Sequence, residues 1–250
     1  MDEVSRARAL VAEAHRIVVL TGAGISTESG IADFRGPQGV WTKDPAAEKL
    51  ATLSHYMSSA DARKTAWQKR LATTVWSAEP NAGHRALVRL EQAGKLHTLV
   101  TQNIDGLHQR AGNDRQRIIE IHGTLHEVVC MSCGDRGPMS ETLERVRAGE
   151  EDPPCRKCNG ILKSATISFG QSLVLEDLQR AEQAAIRCDL FMAIGTKLSV
   201  FPVAGLVPVA KRRGAKIIIV NAEPTDMDEL ADEIVRGSIG EMLPRIVEVE

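Results

Sequence analysis

The sequence predicts an α/β fold: a doubly wound parallel sheet interrupted by a helical insertion and by a small metal-binding module. Three observations carry this expectation. Apolar runs at 16–20, 96–100, 117–121, 190–194 and 216–220 each end in a polar or glycine-rich turn, and helical periodicity fills the stretches around them. From Pro37 to about Glu79 that alternation stops and spaced apolar anchors take over, among them all three tryptophans and the only tyrosine, Tyr56. Two Cys-x-x-Cys pairs, Cys130 with Cys133 and Cys155 with Cys158, then break the α/β pattern before it resumes. These breaks divide the chain into a sheet domain of residues 1–36, 80–127 and 165–250, an insertion at 37–79 and a metal module at 128–164.

Composition bounds the function classes. A chain of 250 residues, 43% hydrophobic and 26% charged, has room for one large domain with smaller insertions. Its net charge of −2 supplies no global basic field, so nucleic acid is not an expected partner. No apolar run approaches the ~20 residues of a membrane span, and the charged start, with Asp2, Glu3, Arg6 and Arg8, leads into no signal-like core. The expected setting is the cytoplasm, without a membrane partner.

Val4, Ala7, Leu10, Val11 and Ala14 recur at helical spacing, and the first strand follows them. After it comes Gly22-Ala23-Gly24-Ile25-Ser26, where glycines let backbone N–H groups approach an anion closely. Thr27 occupies the third glycine position of the usual dinucleotide pattern, so these residues alone also fit a tight loop. Asp33, Phe34 and Arg35 place an acid, an aromatic ring and a cation just beyond. Pro80-Asn81 opens a helix with Ala86, Leu87, Leu90 and Ala93 on one face and Gly94 at its end.

The strand at 96–100 runs into Gln102, Asn103, Ile104 and Asp105. In open α/β sheets ligands collect at the carboxyl ends of strands. Asn and Asp also close turns by bonding their own backbone, so a reaction site and a simple turn both fit these residues. His122 follows the strand at 117–121 and precedes Gly123, which exposes it on a loop and makes it the first candidate for a base among seven histidines. His15, His55, His84 and His97 read as surface, capping or packing residues, while His108 and His126 lie close to the site in sequence. A helix at 175–187, a strand at 190–194, the turn Gly195-Thr196-Lys197, a helix at about 202–213 and a strand ending at Asn221-Ala222-Glu223 complete the alternation.

The paired cysteines offer four thiolates from two short turns, the donor set of a closed tetrahedral zinc site. Redox chemistry is the alternative for a single Cys-x-x-Cys. With four protein ligands no position stays open for water, so the metal is expected to hold structure together. Cys188, the cysteine left over, reads as an inert small hydrophobe.

Taken in order, Gly22-Ala23-Gly24-Ile25-Ser26, Gly30-Ile31-Ala32-Asp33-Phe34-Arg35, Thr101-Gln102-Asn103-Ile104-Asp105-Gly106-Leu107-His108, His122-Gly123 and the paired cysteines closely resemble the sirtuin family. The resemblance spans most of the chain. It implies a Rossmann-like NAD domain, a small structural Zn2+ module and an NAD+-consuming lysine deacylase that acts on acylated-lysine proteins or peptides. By the same resemblance Gly22, Ala23, Gly24, Ile25 and Ser26 hold the cofactor phosphates, Phe34 and Arg35 cover its nicotinamide and ribose side, and Asp33 and Trp41 are cofactor contacts. Gln102, Asn103, Ile104 and Asp105 line the nicotinamide and ribose pocket, with Gly195, Thr196, Lys197, Asn221, Glu223 and Ile239 as further cofactor contacts. His122 is implied as the general base that takes a proton from a ribose hydroxyl, with Asn103 and Asp105 beside it. Cys130, Cys133, Cys155 and Cys158 are implied as the zinc ligands.

Several departures from the family pattern stand out. Ala32 replaces a usual proline, Lys197 follows Gly-Thr where serine is common, and Gln171 follows Phe169-Gly170 where glutamate is frequent. Leu162-Lys163-Ser164 lacks the proline expected nearby, in a segment that pairs with substrate backbone in the family. The segment from Gly36 to Trp41 resembles the branch that includes the nuclear chromatin-associated members. Members that prefer acidic acyl groups carry a Tyr and an Arg three residues apart in the helical insertion, where this chain has Trp67 and Arg70. Because an indole offers only its single N–H, acetyl or another neutral short acyl group is the expected substrate over succinyl. Trp67, Arg70, Phe169 and Gly170 are the candidate substrate contacts. Desuccinylation, mono-ADP-ribosyl transfer to protein and non-catalytic NAD sensing are the competing functions.

Overall fold

The computed structural model describes residues 1–33, 39, 43 and 51–248. In chain order its elements are α1 (Glu3–Glu13), β1 (Ile17–Thr21), α2 (Leu53–Ser58), α3 (Ala60–Ala72), α4 (Ala82–Gln92), β2 (Leu96–Thr101), α5 (Leu107–Ala111), β3 (Ile118–Glu120), β4 (Gly123–Cys130), β5 (Arg136–Pro138), α6 (Met139–Arg147), β6 (Leu162–Thr166), α7 (Leu175–Arg187), β7 (Leu190–Ile194), α8 (Leu206–Arg212), β8 (Lys216–Val220), β9 (Glu233–Val235) and α9 (Ile239–Ile246). Local chemistry sets several of their ends. The Asp2 carboxylate accepts from the Ser5 N–H at 2.8 Å and caps α1. Asn81 and His84 form a reciprocal capping box on α4, which makes His84 a capping residue as its position suggested.

Six strands form one sheet in the order β3-β2-β1-β7-β8-β9, with every pairing parallel. The chain moves outward from β1 to β3, crosses back, and moves outward again from β7 to β9. The order therefore reverses between β1 and β7, where the turns diverge and leave a crevice. Period-two alternation along β1 sends Ile17 and Val19 to one face and Val18 and Leu20 to the other. The first face packs on α1, α4 and α9 through Val11, Leu87, Leu90 and Leu243. The second packs on α7 and α8 through Ala181, Ala185, Val207 and Ala210, whose small side chains let those helices lie close.

Register is what gathers the site. Thr21 pairs with both Thr101 and Ile194, Ile194 pairs with Val220, and Thr101 pairs with Glu120. Five strands thus end at nearly one level, and Gly22, Gln102, His122, Gly195 and Asn221 leave the sheet side by side.

A second, antiparallel sheet in the order β5-β4-β6 carries the cysteines, and β4 and β6 run continuously through positions 127/128 and 164/165. Trp67 of α3 is 1% exposed and packs with Val128, Met139, Leu143 and Val146, seating the insertion on this module. The sequence reading did not include this sheet, β9 or α9. The helix expected at about 202–213 opens with a 3₁₀ turn, Val203–Gly205, and is α-helical from Leu206. Among the described residues no helix is long and apolar enough to cross a membrane.

Candidate active site

The crevice at the β1/β7 reversal opens into a cavity of about 1340 Å3. That exceeds the roughly 300–1,000 Å3 of a single drug-sized pocket and leaves room for a long ligand beside a second one. Glycine is required where the turns after β1 and β7 touch. A Cβ on Gly24 would lie 2.7 Å from the Gly195 Cα, and one on Gly195, whose φ is 64°, would lie 2.5 Å from the Ile25 nitrogen. The Gly24 N–H donates to the Gly195 carbonyl at 2.9 Å and locks the two turns together.

The turn after β2 is tied to the turn after β1. Asn103 Nδ2 donates to the Gly22 carbonyl at 3.1 Å and lies 3.2 Å from Ser26 Oγ, and Ser26 Oγ donates to Asp105 Oδ2 at 2.8 Å. Asp105 Oδ1 accepts the Leu107 N–H at 2.9 Å, so this carboxylate also closes its own turn. Burial raises the Asp105 pKa, while the Leu107 and Ser26 hydrogen bonds pull the other way. The turn-closing reading of this stretch is thus observed in Asp105, whose carboxylate also faces the cavity. Gln102 Nε2 reaches Thr196 Oγ1 at 3.0 Å and bridges the β2 and β7 turns.

His122 stands at the cavity wall between β3 and β4. Its Nδ1 lies 3.1 Å from the Gln102 carbonyl oxygen, which can only accept, so Nδ1 carries the proton and Nε2 is left as the basic nitrogen. Burial lowers the His122 pKa below its ordinary value, opposed by the Gln102 carbonyl. The neutral ring is thus the form present at neutral pH. Gly123 has φ 73°, and a Cβ there would come within 2.1 Å of the Ala165 carbonyl oxygen, so glycine holds the ring against β6.

Of the other expected cofactor residues, Gly22, Ala23, Gly24, Ser26, Asp33, Gln102, Asn103, Ile104, Asp105, Gly195, Thr196, Lys197, Asn221, Glu223 and Ile239 line this cavity, as do Arg70, Phe169 and Gly170. Two are placed elsewhere. The Ile25 side chain is 1% exposed in the sheet core, because the turn points it back between α4 and α9. Trp67 is inside the cluster that joins α3 to the cysteine module, so it cannot meet a substrate in the cavity. Phe34, Arg35 and Trp41, with most of the segment from Gly36 to Trp41, lie outside the described residues. His108 faces inward, with Nε2 3.0 Å from Thr21 Oγ1, and His126 Nε2 donates to the Asp105 carbonyl at 2.9 Å. Both are supports of the β2 turn.

The four cysteine sulfurs lie within 4.8 Å of one another, with Cys130 to Cys158 at 3.4 Å and Cys133 to Cys155 at 3.8 Å. A tetrahedron with Zn–S bonds of ~2.3 Å has edges of about 3.8 Å, so the donor set and its spacing fit zinc. These separations are far beyond a disulfide bond of ~2.05 Å. Cys188 is buried next to Asp189, and burial pushes its thiol up to about 12, which leaves it unreactive.

Residues 22–202 match the model of the Sir2 family. Over 231 residues the chain is 48% identical to NAD-dependent protein deacetylase 2 of Streptomyces coelicolor, covering 92% of this chain and 96% of that protein. The chain belongs to the Sir2 family. It is also 42% identical over 250 residues to NAD-dependent protein deacylase 2 of Archaeoglobus fulgidus, covering 99% of this chain and 96% of the other. A solved Sir2 enzyme, 42% identical, superposes with a TM-score of 0.88 over 99% of this chain and 97% of its own. Sir2Tm bound to a propionylated peptide, 29% identical, gives 0.88 over 99% and 98%.

In this Sir2 chain several residues that line or brace the cavity carried no site expectation from sequence. Glu28 accepts from Ser238 Oγ at 2.9 Å and from the Gly240 N–H at 2.8 Å, fastening the β1 turn to the start of α9. Arg236 donates to the carbonyls of Asn221 at 3.0 Å and Glu223 at 2.9 Å and shapes the loop after β8. Tyr56 and Lys163 line the cavity from α2 and β6. The signal for Lys163 was available, since a lysine inside an apolar strand needs a polar outlet.

Proposed function

We propose that this chain removes acyl groups from lysine side chains of proteins or peptides and consumes NAD+ as co-substrate. The observation that carries the reading is His122, a neutral imidazole with its basic Nε2 free at the cleft and its Nδ1 fixed by the Gln102 carbonyl. NAD+, when bound, supplies an anomeric carbon activated by departure of nicotinamide. The glycine turns at Gly22, Gly24 and Gly195 admit its phosphates, with Ala23, Ser26, Thr196 and Lys197 alongside, and Asn221, Glu223 and Ile239 take the adenosine end. Asn103, Ile104 and Asp105 position the reacting ribose, and His122 accepts a proton from its hydroxyl and later returns it. Phe169 and Gly170 border the acyl-lysine entry. Four cysteines hold the structural zinc, and the chain divides functionally into the sheet domain, the insertion and the zinc module, the last sharing strands β4 and β6 with the wall of the cleft. All five cysteines are unpaired by disulfides, in keeping with a reducing cytoplasm.

The test is incubation with labelled NAD+ and an acetylated peptide. O-acetyl-ADP-ribose and free lysine are expected, and His122→Ala slows their formation by ~10²-fold or more while NAD+ affinity persists. Label carried by protein would instead favour ADP-ribosyl transfer, and absence of nicotinamide release would favour a binding module.

One observation favours a second reading of acyl choice. Arg70 and Lys163 stand together at the cavity wall, and among the described residues neither is ion-paired with a carboxylate. An acyl chain ending in a carboxylate would supply the missing charge.

A further inference from the structure

At the opposite end of the large sheet lies a second cavity of about 590 Å3, within the range of small-molecule pockets. Strand β1 separates the two, and its five residues rise on the order of 16 Å. Arg16 enters the cavity from just before β1, His97 from the start of β2 and Arg117 from just before β3, while Arg180 and Arg187 project from α7. Four guanidinium groups from three segments therefore face one space.

Their charge is poorly answered. Arg180 is held by Asp177 at 3.2 Å. Among the described residues Arg16, Arg117 and Arg187 have no carboxylate within ion-pair reach. The acids nearby are otherwise engaged or lie at the lining without a cationic partner: Asp189 takes the N–H groups of His15 and Arg16, Asp114 takes the Gln116 N–H, and Glu176 is unpaired. Arg16 Nη2 donates to His97 Nε2 at 2.6 Å, so that nitrogen is unprotonated and Nδ1 donates to Thr98 Oγ1 at 2.8 Å. Burial, with Arg16, Arg117 and Arg187 behind it, lowers the His97 pKa and keeps the ring neutral. Arg16 Nε is buried with no hydrogen-bond partner at all. A position in the last turn of α7 accounts for Arg187 by the helix dipole, but it accounts for neither Arg16 nor Arg117.

We propose that this cavity binds a small oligophosphate, a di- or triphosphate chain gripped by Arg16, Arg117 and Arg187. Guanidinium forks match phosphate oxygens bidentately, and three of them on separate elements span more than one phosphate. Thr98, Gln179 and Gln183 add neutral donors to the lining. An inorganic oligophosphate and the tail of a nucleotide share this chemistry.

The test is calorimetric titration of the whole protein with inorganic triphosphate and, separately, ATP, each with and without saturating ADP-ribose to fill the large cleft. One equivalent of triphosphate binds with the cleft filled, and Arg16→Gln or Arg187→Gln weakens it about tenfold or more while deacylation rates stay unchanged. ATP binding more tightly than triphosphate would assign the site to a nucleotide, and equal affinity would assign it to the inorganic chain. Among the described residues Arg187 makes no side-chain hydrogen bond, so its variant keeps the fold even if Arg16→Gln does not. No saturable binding of either ligand at millimolar concentration, or unchanged affinity in the Arg187 variant, would overturn the proposal. Because the readout is binding at the far end of the sheet, it succeeds or fails independently of the deacylase assay.

Discussion

Arg70 and Trp67, three residues apart on α3, diverge in space. Trp67 turns into the cluster behind the cysteine module, while Arg70 reaches the cavity and donates to Ser164 Oγ at 3.1 Å. The acetyl preference expected from the indole at position 67 therefore rests on a side chain that is not at the wall. Tyr56 supplies a phenol there instead, though its hydroxyl is spent on the Leu162 carbonyl at 2.8 Å. Lys163 donates to the Ser164 and Thr166 carbonyls, and burial first, then Arg70, pulls its pKa down to about 8. A hydrogen bond to a charged group contributes roughly 1.5–3 kcal/mol, on the order of ten- to a hundred-fold in rate. We expect Arg70→Ala to lower kcat/KM for a succinylated peptide by that factor while changing the acetylated peptide only a few-fold. A wild-type protein inert toward succinyl-lysine, or an equal loss on both peptides, would exclude the acidic-acyl reading.

At the scale of elements, β4 links chemistry to metal. It starts at Gly123, beside His122, the proposed base, and ends at Cys130, a thiolate of the cluster. The Ile167 N–H donates to the His122 carbonyl at 2.8 Å just beyond β6, so both long strands of the small sheet brace the His122 loop. Removing zinc should therefore cost stability and turnover together. Metal analysis is expected to give one zinc per chain, and Cys130→Ala or chelation to lower Tm and deacylation in parallel. A folded, zinc-free protein with unchanged Tm would contradict a structural metal.

For the molecule as a whole, the layer between α4 and α5 stores a pH dependence. His84 and His108 lie with ring centroids 5.0 Å apart, and His84 Nε2 and His108 Nδ1 are buried without partners. Burial lowers His84 to about 4 and takes His108 well below its ordinary value, so both rings are neutral in the folded chain. The unfolded chain takes up protons near pH 6.5 and the folded chain does not, so stability falls as pH drops from about 6.5 toward 4. For His84 alone the full loss is about 3 kcal/mol. Tm measured from pH 6.5 to 4.5 should decline, with a shallower slope in His84→Gln; identical slopes would show that His84 binds its proton equally in the folded and unfolded chains. The alternation of strands and helices, the glycine turns, the paired cysteines and the polar runs at strand ends were legible in the sequence because each depends on local spacing: period two, period 3.6, or a fixed gap between ligands. The bounds of α7, β7 and β8 followed from the same periodicities. Three-residue β9 carries too little pattern to be read, α9 has a helical face in Ile239, Met242, Leu243 and Ile246 but holds Pro244, a residue that argues against a helix, and the antiparallel sheet of the cysteine module was masked by the turns that its metal ligands require. The direction in which Ile25, Trp67, Arg70 and Lys163 point was not local information. Tertiary packing decided it, since each side chain goes to whichever neighbour, core or cavity the distant elements leave beside it, and those neighbours are brought together only when the parallel register aligns the strand ends.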